Sequence, residues 1–251
     1  MNYKLRTTNS RGFSLTEVLL AVGTLAVGML FIAGTFLVGI HFSTIATEQT
    51  IAAVTAAGAF AKIKLYGVNL SSLSTNQQTP FAGISPDEFA YPSTNTVAEK
   101  QYYWSALCRR VAPDPNRSVQ VTVFVCRKAG SGTRYWIRNP DKTLNSAGSP
   151  HPIPIPVKVS QVSPNQLSID DELINALDDG IDETTFINDG YTIVDNQTGQ
   201  IYRVLERNRT NPSIIVLDRL WQGSSFVWVV PPPFDGGRNP CIVVYPTEIR
   251  F

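Results

Sequence analysis

The longest apolar run in the chain covers residues 18–40, where no side chain is charged. A stretch of about that length spans a hydrocarbon core of roughly 30 Å as a helix, so it predicts a transmembrane segment. One acid, Glu17, stands at its entrance, and a carboxylate there costs on the order of a few kcal/mol unless it finds a partner. Helical patterning continues beyond the run. Residues 43–66 hold no proline, and Ile45, Ala52, Ala56, Ala59, Ile63 and Tyr66 recur at spacings of three, four and seven. Gly67 is the expected stop. Residues 13–66 therefore read as one helix of about 80 Å at 1.5 Å per residue, its second half laying an apolar stripe on a globular head. Gly23, Gly28, Gly34 and Gly39 fall in the first half, where small residues permit close helix approach and also weaken an isolated helix.

After the helix the period changes. Residues 67–100 are rich in Ser, Thr, Asn, Gln and Pro and read as a long loop. Residues 101–111, 118–128 and 133–138 read as three strands of an antiparallel meander, the second with strict alternation at Val119, Val121, Val123 and Val125. Such a sheet, laid over the helix stripe, buries one apolar face with another. Residues 139–156 are Pro-rich and predict an extended linker that bounds this first head unit at residue 138. Residues 157–251 predict a second β-rich unit. Strands are expected at 157–162, on both sides of an Asn-Gln-Thr-Gly turn within 191–207, and at 213–220, 225–230 and 241–246, with a short capped helix starting near Ser168. Closely spaced turns suggest a small curled sheet or barrel. The fold class is α+β: a long N-terminal transmembrane helix packed on an antiparallel sheet, with a second small β unit.

The entrance to the apolar run carries further order. A leader with Lys4, Arg6 and Arg11 ends in Gly12, Phe13 follows, and Glu17 is the fifth residue counted from Phe13. Over about its first fifty to sixty residues the chain resembles a type IV prepilin or pseudopilin. The resemblance implies that residues 1–12 are a leader, that a prepilin peptidase cuts between Gly12 and Phe13 and methylates the new amine, and that the head is pilin-like. It also implies partners: other pilin or pseudopilin subunits, whose helices pack into a filament core, and an inner-membrane assembly platform. The proline that often kinks this region in related pilins is absent here. Glu17 suits the role on physical grounds too. A Phe13 ammonium lies one helical turn before it, a helix N-terminus favours negative charge, and a neighbouring subunit's ammonium would neutralise it within an apolar bundle.

Composition adds bounds. With 43% hydrophobic and 16% charged residues the chain is of the folded kind. Its net charge of +1 falls to about −2 once Lys4, Arg6 and Arg11 are removed. Basic residues before a membrane helix keep that end cytoplasmic, so the expected placement is single-pass in a bacterial inner membrane, in contact with lipid, with the head extracytoplasmic. After assembly it lies in a surface or periplasmic filament. Disulfides are permitted there. Of Cys108, Cys126 and Cys241, the first two flank a turn and would face each other in a hairpin, or all three stay as thiols.

Little points to catalysis. His41 at the outer membrane edge and His151 in the Pro-rich stretch lack the neighbours that a nucleophile–base pair or a zinc site requires. The acids within residues 170–189 fail the calcium-loop spacing and read as a solvated face. Arg109, Arg110, Arg127, Lys128, Arg134 and Arg138 have the composition of a nucleic-acid surface, yet strands alternate faces, so one patch is not required and nucleic acid is not an expected partner. No cofactor, metal or catalytic residue is expected. The reading is a structural subunit, a minor one by the length of its head. Two alternatives stay open: an adhesive or DNA-binding tip on the same stalk, and a signal-anchored protein that never polymerises.

Overall fold

The computed structural model describes residues 12–93, 100–111, 118–139, 144–145, 147–170 and 181–251. Leader residues 1–11 and residues 171–180, which would hold most of the short helix expected to start near Ser168, lie outside them, and Ser168 itself is in a strand, Gln166–Ile169. The chain divides into two compact units, Met1–Glu48 and Gln49–Phe251. Helix α1, Leu15–Tyr66, contributes residues to both and is 52 residues long. It stops where expected. Gly67 adopts a φ of +75° and its N–H donates to the Ile63 carbonyl at 3.0 Å, a C-terminal turn that a side chain would strain.

Among its described residues the unit Gln49–Phe251 holds eleven strands: β1 (Thr79–Pro80), β2 (Ala90–Tyr91), β3 (Tyr102–Arg110), β4 (Ser118–Arg127), β5 (Ile155–Ser163), β6 (Gln166–Ile169), β7 (Thr192–Asp195), β8 (Ile201–Arg207), β9 (Ile214–Leu217), β10 (Phe226–Val229) and β11 (Cys241–Arg250). One antiparallel sheet has the order β1-β3-β4-β11, with β2 also paired to β3. The other strands close a barrel in the order β10-β5-β6-β9-β8-β7, β10 pairing with β7. Closure leaves the barrel no exposed edge. The class is α+β, with a long apolar N-terminal helix and antiparallel sheets, one of them a six-stranded barrel.

Val119, Val121, Val123 and Val125 form one face of the sheet and pack on Ala52, Ala56, Ala59 and Ile63 of α1. Three small helix residues let the backbones approach, and burying Ile63 contributes about 1.5–3 kcal/mol. Tyr66, expected on that stripe, is instead 53% exposed in the last turn. The opposite sheet face is also covered: Leu107, Phe124 and Cys126 pack against Val194, Trp228 and Val230. β4 is thus a central strand buried on both sides, the arrangement that reads as a near-continuous apolar run.

Four expectations need correction. Residues 133–138 are not a third strand; Tyr135 and Arg138 make only isolated bridges, to Ser149 and Pro233 and to Leu144. Their side chains are used otherwise: Tyr135 Oη accepts from the Ala129 N–H at 2.7 Å, and the Trp136 ring lies 4.0 Å from that of Phe234. β11 takes the vacant place beside β4, pairing from Cys241 to Arg250. The last strand of the 157–251 segment therefore belongs to the sheet of the 67–138 segment, and the barrel is an insertion between two adjacent strands. Residues 139–156 are correspondingly no loose linker, since Leu144 is buried and Ile155 already belongs to β5. Residues 67–100, expected as loop, supply β1 and β2 as well as 3₁₀ turns at Leu70–Ser72 and Pro86–Phe89.

Candidate functional site

The N-terminal segment is built around one capped helix end. Gly12 and Phe13 precede α1, and the Phe13 side chain is 82% exposed. Ser14 is the cap: its carbonyl accepts from the N–H groups of Glu17 and Val18 at 3.0 and 3.1 Å, and its Oγ accepts from Glu17 N at 3.4 Å. Glu17 is thus the third helical residue of a Ser-x-x-Glu capping pattern, in the first turn where the helix dipole favours a carboxylate. Sequence reasoning singled out Glu17 and missed Ser14, although the spacing was there to be read.

Beyond Glu17 the helix is long and apolar enough to cross a membrane. Its surface from Val18 to Ile40 is exposed all round, with Leu20, Leu30, Phe31, Ile32, Phe36 and Leu37 each about 70% accessible. The polar atoms on this stretch are satisfied internally. Thr24 Oγ1 donates to the Ala21 carbonyl and Thr35 Oγ1 to the Ile32 carbonyl, both at 2.9 Å, leaving no hydroxyl in need of water. A Cβ added at Gly23, Gly28, Gly34 or Gly39 would meet nothing within 4 Å. The chain's own packing therefore does not require these glycines, each of which weakens the helix by about 0.8–1 kcal/mol relative to alanine. At 3.6 residues per turn Gly23 and Gly34 share one face, and Gly28 and Gly39 a second.

The expected Cys108–Cys126 bridge is not formed, and the register explains why. β3 and β4 do pair as a hairpin, with Cys108 opposite Val121 and Cys126 opposite Tyr103. Val121 and Cys126 are five positions apart, about 17 Å at 3.4 Å per residue, far beyond the roughly 7 Å Cα limit of a disulfide. An odd separation also puts them on opposite faces: Cys108 packs toward α1 and Cys126 toward the barrel. Burial pushes the Cys108 thiol up to about 12.

The other residues considered for chemistry are mostly structural. His41 lies on α1 with its ring 6.2 Å from that of Phe42. His151 is not a simple exposed loop residue; its ring stacks on Tyr103 at 5.0 Å and 7°, and burial, with Lys128 nearby, lowers its pKa. Among the described acids of residues 170–189, Asp182 and Asp189 are exposed and Glu183 is buried. Asp182 caps a 3₁₀ turn through the Thr184 N–H at 2.9 Å, Asp189 accepts from the Arg207 N–H at 2.6 Å, and buried Glu183 pairs with buried Arg138 at 2.5 Å. Of the basic cluster, Arg138 also donates to the Pro156 carbonyl at 2.9 Å, and Arg109 is bound to Gln120 and to the Thr75 and Thr198 carbonyls. Arg127 and Lys128 meet Lys100 and Arg238 around a cleft of about 630 Å³. A separate apolar cavity of about 380 Å³ is lined by Phe81, Phe89, Trp104, His151, Ile153 and Trp228.

Against protein-family models, curated proteins and solved structures, the chain finds no match.

Proposed function

We propose that this chain is a structural subunit of a type IV pilus or of a type II secretion pseudopilus, assembling through α1. Prepilin peptidase removes residues 1–12, the mature chain begins at Phe13, and the protein is held in the bacterial inner membrane with its head outside the cytoplasm. It then passes to other pilin or pseudopilin subunits by way of an inner-membrane assembly platform. Its role is structural rather than catalytic, and its head of sheet plus inserted barrel suits a minor subunit.

The observation that carries this reading is the surface of α1 between Glu17 and Ile40: apolar on all sides, free of charge, and set directly behind the Gly12-Phe13 junction. Lipid accounts for the apolar surface alone. Two faces bearing glycines that the chain itself does not use suit a helix with more than one neighbour, since small residues allow backbones to approach. Glu17 then needs a cation, and a neighbour's Phe13 ammonium is the one that cleavage creates.

Mass spectrometry of the protein from its native membrane tests the proposal. An N-terminal peptide starting at an N-methylated Phe13 is expected, and replacing Gly12 by a bulky residue should leave the uncut form. A wild-type chain that still begins at Met1 removes the proposal's main support and leaves a plain signal-anchored protein.

A further inference from the structure

The chain leaves the sheet for the barrel at the end of β4 and returns to it at the start of β11, and a cysteine stands at each of these two points. Cys126 is the residue before the last of β4, Cys241 is the first of β11, and the two are direct partners in the antiparallel register. The Arg127 N–H donates to the Pro240 carbonyl at 2.8 Å, so the backbone bond runs between the residues flanking the cysteines. Cys126 and Cys241 are therefore a non-hydrogen-bonded pair, the kind whose Cα atoms approach to about 4.5 Å with their side chains adjacent. That separation falls within the roughly 4.4–6.8 Å that a disulfide spans. Cys241 packs against the apolar cluster that contains Cys126.

We propose that Cys126 and Cys241 form a disulfide that clamps the neck of the barrel insertion, with Cys108 as the remaining thiol. Cys241 is the partly exposed member and reacts first. As thiolate it attacks the disulfide of an extracytoplasmic thiol–disulfide oxidoreductase, or of oxidised glutathione in vitro, and one donor sulfur leaves as thiolate. Cys126, having lost its proton, then attacks Cys241 Sγ in the mixed disulfide and displaces the second donor sulfur. Two cysteine thiols are oxidised by two electrons, and the donor disulfide is reduced to two thiols that take up the two protons. The bridge would close a loop containing the whole barrel and fix the first residue of β11 to β4.

The proposal rests on the extracytoplasmic placement of the head, and one digest separates the two. Full-length protein in its native membrane is denatured in the presence of N-ethylmaleimide, which reaches buried thiols as they are exposed, and digested without reduction. The expected result is one adduct, on Cys108, and a linked pair of peptides carrying Cys126 and Cys241 that separates on reduction. C108S should keep the link, and C241S should lose it and gain an adduct on Cys126. The N-terminal peptide in the same spectrum, starting at Phe13 or at Met1, reports on processing independently. Purified full chain equilibrated with oxidised glutathione tests the pair apart from its compartment, and the same link is expected. Three adducts on native protein overturn the proposal even where glutathione can form the bridge, as does a link that includes Cys108 or the absence of a link at an oxidising glutathione poise.

Discussion

Replacing Glu17 by Val and by Gln separates two roles that one side chain can play. In the single chain Glu17 is exposed at the third position of α1, beside the Ser14 cap. There it interacts with the helix dipole, worth about 0.3–1 kcal/mol at an exposed site, and can serve as the acid of a capping box, a place that glutamine also fills. In the proposed filament it has a second role. The Phe13 ammonium begins one turn earlier, about 6 Å along the axis at 1.5 Å per residue, and no other charge lies on the helix until Glu48. Removing one side of a buried pair costs roughly 3–5 kcal/mol, or about two to four orders of magnitude in the equilibrium for adding a subunit. The dipole contribution alone amounts to less than a factor of about ten. The two roles therefore differ in magnitude and in their response to glutamine. Glu17→Val and Glu17→Gln should both insert normally, valine more readily because a charge is gone from the apolar segment, and both should be nearly absent from sheared filaments at equal membrane level and equal cleavage. Wild-type incorporation of Glu17→Gln with loss of Glu17→Val would assign the residue to helix capping and refute the charge pairing. Wild-type incorporation of both would refute any assembly role for Glu17.

Residues 43–251 alone should be a soluble, folded monomer by circular dichroism and sedimentation, and an obligately oligomeric or unfolded fragment would contradict the autonomy of the head. In that fragment Ile63→Ala, at a fully buried position on the sheet, should lower urea stability by about 2–5 kcal/mol, whereas Leu65→Ala, at a position 80% exposed, should stay within about 0.5 kcal/mol. Arg138→Met takes the guanidinium from buried Glu183 and should cost about 3–5 kcal/mol, most of it recovered in the Arg138→Met/Glu183→Leu double variant; a single-variant loss below about 1 kcal/mol would show that the pair behaves as a surface bridge. His151 has its folded pKa lowered below 6.5 by burial and Lys128, so the unfolded chain binds more protons near and below that pH. Stability should be full above about pH 6.5 and fall as the pH drops toward the folded-state value, and His151→Phe, which keeps the stacking ring, should flatten that slope.

What was legible in the sequence depended on the range of the interactions involved. The helix stripe at Ala52, Ala56, Ala59 and Ile63 and the stop at Gly67 are local periodicity and turn chemistry, and each was read from the chain. So was the pairing of β3 with β4, strands that follow one another in the chain. The pairing of β4 with β11 has no local signal, because more than a hundred residues separate the partners, and residues 133–138 had the aromatic and β-branched composition to stand in their place. The disulfide expectation failed through parity: two cysteines flanking a turn lie on one face only if their offset in the paired register is even, and here it is odd. One signal was present and unused. The alternation of β4 at Val119, Gln120, Val121 and Thr122 gives way to the continuous apolar run Val123, Phe124, Val125 and Cys126, and it is there that Trp228, Val194 and Val230 of the barrel side pack on the second sheet face.

The candidate site follows the opposite logic. A catalytic centre is recognised by what the chain brings together, since its groups must converge within hydrogen-bonding reach. A surface that works only between chains shows the reverse: groups whose character has no use within one copy. Gly23 and its three counterparts face open space, the apolar surface from Val18 to Ile40 is uncovered, and Glu17 presents a carboxylate at the edge of that surface. Each carries an energetic penalty in isolation, in helix propensity, exposed apolar area or charge at a hydrocarbon boundary. In the proposed assembly those penalties would be relieved together, by a bundle of like helices in lipid with an ammonium at Phe13. The proposed function therefore rests on the N-terminal segment, while the sequence of the head was read for fold.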